Sequence, residues 1–190
     1  MTRAEPRLLR DAATFQSAPC RRFAAWLGDQ DRDDDAAPKS QVDPHRLRDI
    51  LPHLMLMAVE PADAPGAPPR LRYTLVGEHI AEYYEPLKGR YVDELELGDW
   101  RDYWLEAVRR PARERLATCG VCSVEWQGRD HLMLEYVFAP VVRDGTDEVV
   151  QLVCCVSFFY ESTGKVMKAT DPPFAVTPPQ PTPVGVEPDP

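Results

Sequence analysis

The sequence predicts an α+β domain: a five-stranded antiparallel sheet with helices on one face, preceded by a helical flank. Three observations predict it. Two strand patterns joined by a Pro/Ala/Gly loop lie in the first half, segments of helical spacing follow them, and the last third switches to long stretches rich in β-branched and aromatic residues.

The 190 residues form one domain by length, enough to bury roughly 65–70% of the unfolded surface without a disulfide or metal. Apolar residues at 44% and charged residues at 28% are globular values. The net charge of −9, with no Lys/Arg run, argues against nucleic acid and against an anionic membrane surface. The start, MTRAEPRLLRDAATF, lacks the apolar core of a secretory signal. The longest apolar stretch, Val149 to Tyr160, is too short to span a bilayer. A cytoplasmic location is expected, with Cys20, Cys119, Cys122, Cys154 and Cys155 as free thiols.

From Asp11 to Leu27 the spacing predicts an amphipathic helix, with Pro19 an early break and Phe23, Trp26 and Leu27 on one face. Residues 29–40, DQDRDDDAAPKS, read as a solvated loop that buries nothing. In VDPHRLRDILP, Asp43 caps a short helix that begins at Pro44, carries the stripe Leu47, Ile50 and Leu51, and stops at Pro52. Leu54–Glu60 and Leu71–Val76 are the first two strands, an antiparallel pair.

Beyond Gly77, EHIAEYYEPL predicts a short helix with His79, Tyr83 and Pro86 near one face. KGRYVDEL is then a turn with a helical scrap. Trp100, Tyr103, Trp104, Ala107 and Val108 define a helix over 99–110, and Pro111 either kinks it or starts a second helix that runs to Thr118 and stops at Gly120. Three antiparallel strands follow over 121–127, 131–142 and 149–160; in the second, Leu132, Leu134, Tyr136 and Phe138 line one well-buried side. Eight prolines in the last twenty residues predict an extended or disordered tail. The expected organisation is a helix and acidic loop over 1–42, the main domain over 43–162 and the Pro-rich tail over 163–190.

Within this frame, VDPHRLRDILPHLMLMAVE followed by RYTLVGEHIAEYYEPLKGRYVDEL resembles the bacterial single-domain PAS family. The positions that carry the likeness are Asp43, Pro44, Leu51, Pro52, Arg72, Tyr73, Leu75, Gly77, Gly89, Arg90, Glu94 and Leu95. It continues more weakly through LEYVFAPVVRDG and VVQLVCCVSFFY, and so spans about residues 15 to 160. Glu78 departs from the Thr or Ser frequent at that position. The resemblance implies a PAS-like fold with a cavity between the sheet and the short helices, association through helical flanks, and no catalytic residues.

Under that reading the ligand-pocket candidates are Tyr73, His79, Tyr83, Trp104 and Tyr136, and the candidate interaction surface is Phe23, Trp26 and Leu27. Trp104, with Trp100 and Tyr103, has a plainer reading as core, since aromatic residues at helical spacing are most often packing, and His79 has one as a surface or hydrogen-bonded histidine. The cofactor is left unassigned. Haem is disfavoured because helix 99–110 lacks the histidine that haem-binding relatives carry, and flavin because GRYVDEL replaces the reactive Asn-Cys-Arg-Phe segment. No metal site is expected. Cys119-Gly-Val-Cys122 has redox-dithiol spacing but follows a helix and leads into a strand, the wrong context, so structural thiols are preferred. Cys154 and Cys155 should point to opposite faces. His45 and His53 should face solvent, and His131 opens a strand. A two-residue turn at Gly128-Arg129 would set Glu125 opposite Leu132 and Glu135 opposite Cys122, on different faces and unable to act as an acid/base pair.

The leading expectation is therefore a non-catalytic sensory or regulatory module in bacterial signalling. It would act by binding a ligand, associating with a regulatory protein such as a kinase, and forming a homodimer. The alternatives are a ligand-free interaction adaptor and a thiol–disulfide protein using Cys119 and Cys122.

Overall fold

The computed structural model describes residues 7–8, 15–29, 36–62, 64, 66–84, 86–96, 100–123 and 132–160. The Pro-rich tail, Glu125, His131, the Gly128-Arg129 turn and most of the acidic run lie outside the described residues. The protein is α+β. Among the described residues its seven strands are β1 (Arg7–Leu8), β2 (Ala37–Pro38), β3 (Leu54–Glu60), β4 (Arg70–Val76), β5 (Thr118–Ser123), β6 (Leu132–Val142) and β7 (Val149–Tyr160). The helices among the described residues are α1 (Ala18–Gly28), α2 (Glu78–Ala81) and α3 (Arg101–Glu114), with 3-10 turns at Lys39–Gln41, Pro44–His53 and Val92–Glu94.

The sheet order is β1-β5-β6-β7-β3-β4. Its five long strands pair antiparallel, as the alternation predicts, with β3 and β4 brought beside the C-terminal β7 rather than beside β5. Two additions were not expected: β1 pairs with β5, and β2 runs parallel to the end of β6. The residues before 43 therefore contribute directly to the sheet, and Ala36 and Ala37 are fully buried where a solvated loop was predicted.

Helices cover both faces of the sheet, not one. On the first face, α2, the 92–94 turn and α3 close over Met57, Tyr73, Tyr136, Leu152, Phe158 and their neighbours. On the other, α1 and the 44–53 turn cover Leu54, Val137, Val141, Val153 and Cys155. This sandwiching explains why β6 and β7 are buried on both sides, with Val137 at 0% exposure as well as Tyr136. The single buried side predicted for β6 is replaced by two.

Local chemistry sets the boundaries. Ser17 caps α1: its hydroxyl accepts the Cys20 N–H, and Pro19 sits in the first turn, where its missing N–H costs nothing. Asp43 caps the 44–53 segment by accepting the His45 N–H, as predicted. That segment winds as a 3-10 helix. With three residues per turn, Leu47 and Ile50 align into the core while Leu51, a stripe member at α-helical spacing, turns out to 37% exposure. Gly77 follows from this packing, because a Cβ there would stand 2.6 Å from the Leu51 carbonyl oxygen.

The helix α3 continues through Pro111, which occupies its last turns, and ends at Arg115 in the left-handed region with φ 58°. No second helix reaches Thr118. Thr118 opens β5 and Gly120 lies inside it, where the Tyr136 ring covers the cross-strand position: a Cβ at Gly120 would meet the Tyr136 hydroxyl at 2.7 Å. Gly120 is a seat for an aromatic ring rather than a helix stop. Among the described residues no helix is long and apolar enough to cross a membrane.

Candidate functional site

The five pocket candidates lie on one face of the sheet, in the layer beneath α2 and α3. Antiparallel register produces this: Leu134, Tyr136 and Phe138 on β6 stand opposite Phe158, Val156 and Cys154 on β7, while Met57 on β3 stands opposite Tyr73 on β4. Tyr73, Tyr83 and Tyr136 belong to the buried core, and Trp104 packs against it from α3.

Two aromatic groups form this layer. At the α3 end, Trp104 lies 5.1 Å from Tyr136, which stacks on Phe138 at 4.7 Å, and Tyr103 is edge-on to both Trp100 and Trp104. The Tyr103 and Tyr136 hydroxyls are hydrogen-bonded at 2.7 Å. At the α2 end, His79 lies 5.4 Å from Tyr83 and 4.4 Å from His53, and Tyr83 packs on Phe158 at 4.6 Å. His53 is therefore not a solvent-facing residue, as its position flanking a short helix predicted; the 3-10 winding brings it inward, where Nδ1 is 3.3 Å from the Val156 carbonyl oxygen. Pro86 is exposed, so the predicted face of His79, Tyr83 and Pro86 reduces to its first two members.

Burial sets the charge state here. It pushes the Tyr103 hydroxyl up to about 12 and raises those of Tyr73, Tyr84 and Tyr136 further, so all four are neutral hydrogen-bonding groups at physiological pH. Desolvation lowers His53. What the layer offers is apolar surface, aromatic faces and a few polar groups. Among the described residues no cluster of three or more His, Cys, Asp or Glu side chains is placed to hold a metal ion.

The comparisons with family models, curated proteins and solved structures find no match.

The predicted contact surface is elsewhere. Phe23, Trp26 and Leu27 are 0%, 1% and 4% exposed and belong to the second core, against the sheet's opposite face. The amphipathic stripe meets the chain's own β6 and β7, which sequence spacing alone does not distinguish from a partner. The register of β5 and β6 also differs by one residue from a two-residue turn: Cys122 stands opposite Leu134, and Glu135 opposite Val121. Aligning Cys122 with Leu134 and Gly120 with Tyr136 keeps the large apolar side chains on the α3 face.

That register turns Glu135 toward α1, where it is 1% exposed. Its two carboxylate oxygens accept the Gln16 and Ser17 N–H groups, each at 2.8 Å, so the acid holds the start of α1 from within the sheet. Beside it, the Cys20 thiol is 4.0 Å from that of Cys155. Sequence reasoning missed both features. A single acid inside LMLEYVFAPVV was the available signal, because Glu is almost never fully buried without partners.

Cys119 and Cys122, by contrast, are kept apart. Both lie in β5, three residues apart, so Cys119 enters the second core and Cys122 the first. Burial pushes the Cys122 thiol up to about 12. Cys154 and Cys155 divide between the two faces in the same way, as predicted.

Proposed function

We propose that the chain is a PAS-like regulatory module of bacterial signalling, non-catalytic and cytoplasmic, in which the aromatic layer beneath α2 and α3 is the sensing element. The observation that carries this reading is the convergence of Tyr73, His79, Tyr83, Trp104 and Tyr136 on one sheet face, under the helices that connect β4 to β5. The residues of the family likeness occupy positions that shape this layer: Asp43 caps the turn whose end presses on Gly77, and the Gly89 N–H and Arg90 carbonyl bond the backbone of Tyr73 along the outer edge of β4.

A small uncharged ligand entering the layer would shift α2 and α3 relative to the sheet. The module would pass that change to a regulatory protein, such as a kinase, or to a second copy of itself. A phosphate or carboxylate ligand fits less well, because the layer's tyrosine hydroxyls are neutral and burial lowers the His53 imidazole.

A ligand-free adaptor is the second reading. It is favoured by the near-complete burial of Tyr83, Tyr136 and His79, whose side chains themselves fill the layer. A thiol–disulfide protein built on Cys119 and Cys122 is disfavoured by their placement on opposite faces. Native mass spectrometry of protein purified from its own cells separates the first two readings: a retained small molecule supports sensing, and the bare chain supports the adaptor.

A further inference from the structure

We propose that Cys20 and Cys155 form a redox modification site: a small-molecule disulfide oxidises them to an intramolecular bond that fastens α1 to β7. Their sulfur atoms are 4.0 Å apart, in contact, while the side chains come from residues 135 positions apart and from different layers of the fold. They are two of the five buried cysteines. Cys122 and Cys154 belong to the other face of the sheet. Cys119 shares the α1 face, but Val137 stands between it and Cys155 in the cross-strand row, a separation of two strand spacings, about 10 Å, beyond the reach of a disulfide.

Both thiols are 0% exposed, so the docked helix shields them. Oxidation requires the first turn of α1 to lift, which breaks the two hydrogen bonds from Gln16 and Ser17 to Glu135. The Cys20 thiol then loses its proton and attacks one sulfur of the small disulfide; that S–S bond breaks, and the departing thiolate takes up a proton. When α1 returns, Cys155 gives up its proton and attacks the Cys20 sulfur, expelling the second small thiolate, which is protonated in turn. Two protein thiols are oxidised and one small disulfide is reduced to two thiols. The product ties the helix to the sheet at the point where Glu135 had held it by hydrogen bonds alone.

Incubating the full chain with oxidised glutathione tests the proposal. The expected result is loss of two of the five titratable thiols in a monomer, a Cys20–Cys155 linked peptide by mass spectrometry, and amide exchange in α1 slowed at least about tenfold. The link should form in Cys119→Ser and Cys122→Ser and be absent from Cys20→Ser and Cys155→Ser. Because opening of α1 precedes reaction, the rate should level off as glutathione disulfide is raised. Retention of all five thiols, a persistent glutathione adduct on Cys20, or a link through any other cysteine would overturn it.

Discussion

Glu135 holds the N-terminus of α1 from inside the sheet: its Oε2 accepts the Ser17 N–H at 2.8 Å, between residues 118 positions apart. Its other oxygen takes the Gln16 N–H at the same distance. Helix starts carry unsatisfied N–H groups, and here a buried carboxylate meets that of the capping Ser17 together with that of Gln16, the residue before it. Glu135→Ala leaves both donors unpaired and opens a void, and should destabilise the protein by about 2–4 kcal/mol in denaturant unfolding. Glu135→Gln keeps one acceptor oxygen and should lose about half as much. Equal losses in the two variants would mean that shape, not hydrogen bonding, is what Glu135 supplies.

Trp26 is the largest side chain beneath α1, 1% exposed and 5.3 Å from the Phe23 ring. Trp26→Ala should therefore cost about 3–5 kcal/mol, as for large core truncations. A Trp26→Glu variant should be unfolded or molten, seen as loss of near-ultraviolet circular dichroism. A folded Trp26→Glu protein with altered mass by light scattering would restore the stripe as a contact surface between copies.

Much of the fold was legible because its signals are local. β3 and β7 follow the predicted bounds, since apolar runs of strand length flanked by turn residues need no tertiary information. The Asp43 cap is equally local. What the sequence could not display is which surface an apolar stripe meets: Phe23 and Trp26 look the same whether they face a partner or this chain's own β6 and β7. The aromatic layer was legible residue by residue, whereas His53 was not, because its burial depends on three-per-turn winding. The Cys20–Cys155 contact is a product of topology alone, and the Cys119–Cys122 pair of the CxxC spacing is divided by the pleat of β5.

His53 gives the protein an acid-sensitive element. Burial lowers its proton affinity in the fold, so below the ordinary imidazole value of about 6.5 the unfolded chain binds a proton that the folded chain resists. Stability from this group is fully present above that value and is lost as pH falls below it. The carboxylates of Glu60, Glu114 and Glu148, each lowered chiefly by hydrogen bonds from arginine, act only in the more acidic range near their own ordinary values. The urea midpoint should drop between about pH 7.5 and about pH 5.5 in the wild type, and by less in His53→Gln. An identical drop in the two proteins would assign the acid sensitivity to another group.

The most direct measurement on the sensing claim is the native mass of the protein as it leaves its own cells, compared with Tyr136→Ala, which removes the ring joining Trp104, Phe138 and the Tyr103 hydroxyl. The wild-type mass should exceed that of the chain by one small uncharged molecule, with the excess reduced or absent in the variant. A wild-type mass equal to the bare chain, from gently handled protein that is folded, would contradict sensing by a bound ligand and leave the aromatic layer as packing.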